Sequence, residues 1–123
     1  MQETILVVDD HPTVLHTVIA ILVRAGFKVF GAESGSEALQ ICRGESPIGL
    51  ALIDVVMPGV NGTEIRRRLS EELPGLRVLF MSGYDHEGVL ACGADVPEAD
   101  LLRKPFTPAV LVSRVRAALD VIA

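Results

Sequence analysis

The chain has 123 residues, half of them apolar, and its 11 Lys and Arg against 16 Asp and Glu leave a net charge of −5. That length suits one domain, residues 1–123, burying roughly two thirds of its unfolded surface around a single core. An acidic balance without blocks of like charge argues against nonspecific nucleic-acid binding, and no window holds the ~18 apolar residues of a membrane span. Glu3 interrupts any signal-peptide onset, so a cytoplasmic location is expected. Aromatics are only 4% and Trp is absent, so aliphatic side chains must fill the core. Cys42 and Cys92 show neither CxxC nor Cys/His ligand spacing and are expected as reduced, half-buried thiols.

In chain order, "TILVVDD" (4–10) is a β-branched apolar run ending in two acids, which reads as a buried strand. "HPTVLHTVIAILVRAG" follows as a helix, with Pro12 in its first turn, an apolar stripe from Val14 to Ala25 and Gly26 as the stop. "FKVFGA" (27–32) alternates as a strand, and Ser34 with Glu37 forms a capping-box signature for a second helix. "LALID" (50–54) is apolar on both faces until Asp54, the pattern of a central parallel strand. Asn61 caps a third helix, whose Ile65, Leu69 and Leu73 recur at one face before Pro74-Gly75. "LRVLFMS" (76–82) is a fourth strand ending in a hydroxyl, and a short helix is expected around Glu87 to Cys92. "DLLRK" (100–104) is a brief fifth strand, and Thr107-Pro108 starts a closing helix.

Five strand–helix alternations predict an α/β fold: a doubly wound, five-stranded parallel sheet in the order 2-1-3-4-5, flavodoxin-like. Sites in such sheets lie beyond the carboxyl ends of the strands, at the switch in winding. Asp9 and Asp10, Asp54, Ser82 and Lys104 end the first, third, fourth and fifth strands, so they converge there. One lysine cannot neutralise three carboxylates, whereas a lysine and a divalent cation can. Oxygen ligands with room for water suit Mg²⁺, which completes its shell with water and phosphate. With phosphate as the missing anion, Asp54 becomes a nucleophile toward phosphorus, Lys104 stabilises charge on the transferring oxygens, and Ser82 hydrogen-bonds the product.

At these residues the chain resembles, along essentially its whole length, the receiver domains of two-component response regulators. "LVVDD", "LIDVVMPGVNG", "VLFMSG" and "KPF" (104–106) stand in the right order, each at a predicted strand end. The resemblance implies that Asp54 accepts a phosphoryl group from a phosphohistidine. It further implies that Asp10 ligates Mg²⁺ directly and Asp9 mostly through water, with the Val56 carbonyl as a further ligand, and that the Lys104–Pro105 peptide is cis. Its partners would be a sensor histidine kinase or a histidine phosphotransfer protein docking near the first helix. By the same resemblance, the surface of the fourth helix, fifth strand and fifth helix would mediate output or homodimerisation. "RVLFMSGY" and "LLRKPFTP" resemble receivers of hybrid sensor kinases, which implies a phosphorelay role without direct contact to nucleic acid. The chain departs from the family at Leu101, where an aromatic switch is usual, and at Ser82, where Thr is commoner. Val56 and Tyr84 stand where the family tunes hydrolysis of the acyl phosphate; Val56 cannot orient a water and Tyr84 can shield the site, so slow dephosphorylation is expected.

Plainer readings compete. Asp10 can cap the first helix, and Lys104 and Ser82 can be surface and turn residues. His11 and His16, at i, i+5, do not share a helical face and read as solvated or locally bonded; His86 shows no partner. Arg66 to Arg68 are flanked by Glu64, Glu71 and Glu72 and read as a wet helix face. Gly35 and Gly62 read as turn and cap glycines. Two other functions stand beside the receiver: a small aspartate-nucleophile phosphatase, which wants an acid where Val56 stands, and a flavodoxin-like FMN module, which wants hydroxyls where "DDHPT" offers acids.

Overall fold

The protein is described here by a computed structural model covering residues 3–44, 47–57 and 60–120. Strands β1 (Thr4–Val8), β2 (Lys28–Ala32), β3 (Leu50–Asp54), β4 (Arg77–Ser82) and β5 (Leu101–Arg103) form one parallel sheet. Its order is β2-β1-β3-β4-β5, as expected and compatible with right-handed crossovers. Helices α1 (Pro12–Arg24), α2 (Gly35–Cys42), α3 (Gly62–Glu72), α4 (His86–Ala91) and α5 (Pro108–Asp120) return the chain between strands and close it. After β3, Val56–Met57 and Val60–Asn61 pair as a two-residue antiparallel ladder; the Pro58-Gly59 turn lies outside the described residues.

Side-chain alternation sorts the core into two layers. Leu6, Val8, Ala51, Ile53 and Phe80 point to one face, where they meet Ala38 of α2, Ile65 and Leu69 of α3 and Val89 of α4. Ile5, Val7, Leu50, Leu52, Leu79 and Met81 point to the other, against Leu15, Val18 and Leu22 of α1 and Leu111 and Val115 of α5. Every residue of β1 and β3 is buried, which explains why those runs are apolar except at Thr4 and Asp54 at their ends. Burying each such aliphatic side chain contributes about 1.5–3 kcal/mol. That surplus lets the sheet carry several charges at its carboxyl edge.

The helix ends follow local chemistry. Ser34 accepts from the Glu37 amide (3.2 Å), Asn61 from Thr63 (2.8 Å) and Thr107 from Val110 (3.1 Å). Asp85 caps α4 through the Gly88 amide (2.8 Å). Gly26 and Gly93, at φ +102° and +84°, end α1 and α4 in the left-handed region. At Gly26 the Phe27 amide reaches back to the Leu22 carbonyl (3.1 Å) and Gly26 to Val23 (3.0 Å), the paired bonds of a Schellman motif with Phe27 buried beside Leu22.

The structure corrects several expectations. The fifth strand is Leu101–Arg103, because Asp100 closes a 3₁₀ turn, Glu98–Asp100. Neither thiol is half-buried: Cys42 faces the core from the end of α2, and Cys92 is exposed at the C-cap of α4. Both are free. His86 has partners, since the chain after Gly93 folds back over the start of α4. Its Nε2 lies 2.7 Å from the Val96 carbonyl and its Nδ1 3.6 Å from Glu98.

Gly62 is more than a cap glycine. A Cβ there would lie 2.6 Å from the Asp54 carbonyl oxygen and 2.9 Å from Val55 Cα, both backbone atoms that cannot swing aside. Its amide also donates to the Val55 carbonyl (2.7 Å). The missing side chain therefore lets α3 press on the strand end carrying Asp54. Gly62→Ala is expected to cost about 2–3 kcal/mol through overpacking, measurable as a lowered midpoint in urea unfolding at unchanged slope.

Candidate functional site

The carboxyl edge of the sheet collects the charged residues. Asp9 directly follows β1, its amide bonded to the Ala32 carbonyl of β2 (3.1 Å), and its side chain is fully buried. Asp54 ends β3 at 5% exposure. Lys104 follows β5, and its amide donates to the Ser82 carbonyl (2.7 Å), tying the lysine to the end of β4. The Lys104–Pro105 peptide is cis. The lysine ammonium then lies 3.0 Å from Asp9 Oδ2 and 3.6 Å from Asp54 Oδ2.

Asp9 is satisfied on both sides: Oδ2 by Lys104 and Oδ1 by the His11 amide (2.9 Å). Asp10 is not. Its Oδ1 is shut off from solvent and has no hydrogen-bond partner. It does not cap α1; His11 holds the N-cap position without a side-chain cap bond, and its amide donates to Asp9 Oδ1.

Asp54 Oδ1 accepts weakly from the Val56 amide (3.3 Å). Burial pushes the Asp54 carboxyl up from 3.8 to about 6; Lys104 pulls it down, while Asp9 and Asp10 push it further up. One basic side chain is thus outweighed by desolvation and two like charges. An orphaned oxygen, a carboxyl held above its ordinary range and an excess of negative charge are what a bound cation would resolve. Asp9, Asp10, His11 and Asp54 each offer one ligand atom, all within 4.8 Å of one another. The donor set fits a hard divalent ion.

Ser82, 1% exposed, accepts from the Tyr84 amide through Oγ (2.9 Å) and remains beside the cluster through the Lys104 bond to its carbonyl. The Val56 side chain is 44% exposed and Tyr84 53%. Leu101 is buried against the core that holds Phe80, Val89 and Val96. The arginine run is a wet face, as its flanking acids suggested. Arg67 binds Glu64 and Glu71, and Arg68 binds Glu64, with side chains more than half exposed. Those arginines hold the Glu64 carboxyl down at about 2, chiefly through the Arg67 hydrogen bond, so Arg67 and Arg68 already have counterions. His11 is the residue that sequence reasoning set aside. Its position right after the acidic pair, at a helix start, was the available signal.

With this geometry in place, comparison with known proteins is direct. A family model described as "Response regulator receiver domain" matches residues 5–116, and the chain belongs to that family. It is 40% identical over 117 residues to the transcriptional activator protein ExaE of Pseudomonas putida, covering 94% of this chain and 54% of that one. It is 33% identical over 117 residues to PilH of Pseudomonas aeruginosa, covering 94% and 96%. Among solved structures, the CheY-like receiver domain protein from Methanospirillum hungatei superposes with a TM-score of 0.81 at 29% identity, covering 98% and 95%. The receiver domain of the hybrid histidine kinase CckA does so at 0.77 and 30%, covering 95% and 99%. The chain spans about half the length of curated relatives such as ExaE and GtcR, and nearly all of PilH. The chain is thus a two-component receiver domain, a signalling domain. No helix among the described residues is long and apolar enough to cross a membrane.

Proposed function

We propose that Asp54 is the phosphoacceptor of this receiver, and that Asp9, Asp10, Asp54 and the Val56 carbonyl hold Mg²⁺. The single observation that carries this reading is the buried Asp54 carboxylate set between Lys104 and an acidic pair with an oxygen to spare. An Asp54 oxygen attacks phosphorus, the bond from phosphorus to the donor nitrogen breaks, and an acyl phosphate forms. Bound Mg²⁺ would supply charge neutralisation on the transferring oxygens. Lys104 stands ready to leave Asp54 for a phosphoryl oxygen, and Ser82 Oγ to donate to another. Val56 supplies no acid for turnover of a phosphomonoester, which disfavours the phosphatase; the acids following β1 disfavour a phosphate-binding FMN loop.

The donor would be a sensor histidine kinase or a histidine phosphotransfer protein. Support comes from the apolar groove beside the site, lined by Val14, Val18 and Ile21 of α1 with Pro105 and Phe106. Output or homodimerisation would use α4, β5 and α5, elements that expose Leu90 and Val110. A phosphorelay role in the cytoplasm, without direct contact to nucleic acid, completes the proposal. The likeness to the receiver domain of the hybrid histidine kinase CckA supports this reading, and the transcriptional activator ExaE stands for the transcriptional alternative.

Mass spectrometry after treatment with acetyl phosphate and Mg²⁺ tests the core of this reading. One added phosphoryl group is expected, absent in Asp54→Ala and absent when EDTA removes the metal; an unchanged wild-type mass would refute it. The same assay followed in time checks the hydrolysis rate. Decay is expected to be slow, far beyond seconds, and Val56→Asn, which can orient a water, is expected to speed it by about tenfold or more.

A further inference from the structure

His11 is the member of the cluster that the phosphoacceptor reading leaves without a task. Its side chain is 68% exposed and makes no cap bond, yet Nδ1 lies 3.4 Å from Asp9 Oδ1 and 3.4 Å from Asp10 Oδ1. Asp9 Oδ1 is already engaged by the His11 amide, whereas Asp10 Oδ1 has no partner. Nδ1 therefore lies as near to Asp10 Oδ1, a buried oxygen without a hydrogen-bond partner, as to Asp9 Oδ1. The ligand atoms of His11, Asp10, Asp54 and Asp9 all fall within 4.8 Å. An octahedral ion with bonds of about 2.1 Å spaces neighbouring ligands about 3.0 Å apart and opposite ones about 4.2 Å apart. The observed spacings are close to that frame with small side-chain adjustments.

We propose that His11 Nδ1 is a ligand of the cation held by this receiver, giving the site a mixed nitrogen–oxygen donor set that binds a first-row transition cation in preference to Mg²⁺. The inference rests on the acidic cluster being a cation site. Its physical basis is ligand softness. Mg²⁺ takes oxygen donors and gives up its waters reluctantly, whereas Co²⁺, Ni²⁺ and Zn²⁺ gain from imidazole. His11 therefore sets which metal loads the site, while the carboxylates set that a metal loads at all. Because the side chain is mostly exposed at the mouth of the site, it can close onto the ion without repacking the core.

Calorimetric titration of the EDTA-stripped protein with CoCl₂ and with MgCl₂ separates these roles, using the wild type, His11→Ala, Asp10→Ala and His16→Ala as a surface-histidine control. Wild type is expected to bind Co²⁺ about tenfold or more tightly than Mg²⁺. His11→Ala is expected to lose about tenfold in Co²⁺ affinity and to shift Mg²⁺ affinity by less than about twofold. His16→Ala changes neither, and Asp10→Ala weakens both. In proton NMR the Co²⁺ form shows a hyperfine-shifted imidazole N–H resonance that His11→Ala removes. If His11→Ala weakens both cations alike or neither, or leaves that resonance in place, the histidine is no ligand although the acidic site stands. If wild type binds neither cation, the acidic site falls and the proposal with it.

Discussion

Lys104→Met is expected to destabilise the metal-free protein by about 3 kcal/mol. Among the described residues, the ammonium is the only Lys or Arg group within 4 Å of Asp9 and Asp54. Removing it leaves the fully buried Asp9 carboxylate facing Asp54 and Asp10 with only the His11 amide as a hydrogen-bond donor. Breaking a buried pair on one side costs more than the pair contributes, because the remaining charge stays desolvated. Urea unfolding in EDTA reads the loss directly. Divalent cation should return part of it, since binding to the folded state alone adds about 1.4 kcal/mol at roughly ten times its dissociation constant. A variant as stable as wild type in EDTA would show that the ammonium does not compensate the acids.

Asp54→Asn should act in the opposite direction. The Asp54 carboxyl sits at about 6 in the folded protein against an ordinary 3.8. Between those values the folded state keeps a proton that the unfolded chain has released, so stability falls as pH rises from about 4 to about 6 and stays lower above. Two units of difference set an upper bound of about 3 kcal/mol. The amide fills the same space without a charge; the shift is already net of the attraction to Lys104, and relaxation and water penetration around the ionised carboxylate reduce the gain below that bound. A net gain of about 1–2 kcal/mol is therefore expected at neutral pH, and little change near pH 4. Unfolding curves of wild type and variant in EDTA, taken on both sides of the window, check the sign. An equal difference at both pH values would locate the effect outside this ionisation. In the double variant with Lys104→Met the two effects should not add, because both residues belong to one charge cluster.

These opposed effects show how the site is maintained. The core on both faces of β1 and β3 supplies enough stability to hold acids that repel one another. What is costly in the metal-free fold is what makes the site ready for a cation and a phosphoryl group.

Much of this was legible in the residues. Ser34, Asn61 and Thr107 announced helix starts because a cap is a bond between near neighbours in the chain. "LALID" announced a central strand because burial on both faces keeps the run apolar up to Asp54 at its end. Once the alternation of strands and helices was read, the handedness of crossovers left few sheet orders, and the acids had to meet at one edge. The fifth strand was read one residue too long at each end, since a 3₁₀ turn takes Asp100 and the pairing with β4 stops at Arg103, limits that β-propensity does not report.

What the sequence by itself determined was therefore the order of elements and the identity of the edge residues, both products of local periodicity and capping. Only the tertiary structure decided which charges touch. Lys104 and Asp9, 95 residues apart, come to 3.0 Å while Asp54 stays at 3.6 Å. The same packing leaves Asp10 Oδ1 without a partner, brings His11 beside it and returns the Val96 carbonyl to His86. Such distances depend on how two layers of helices seat on a twisted sheet, a property of the whole core that no short window of the chain contains.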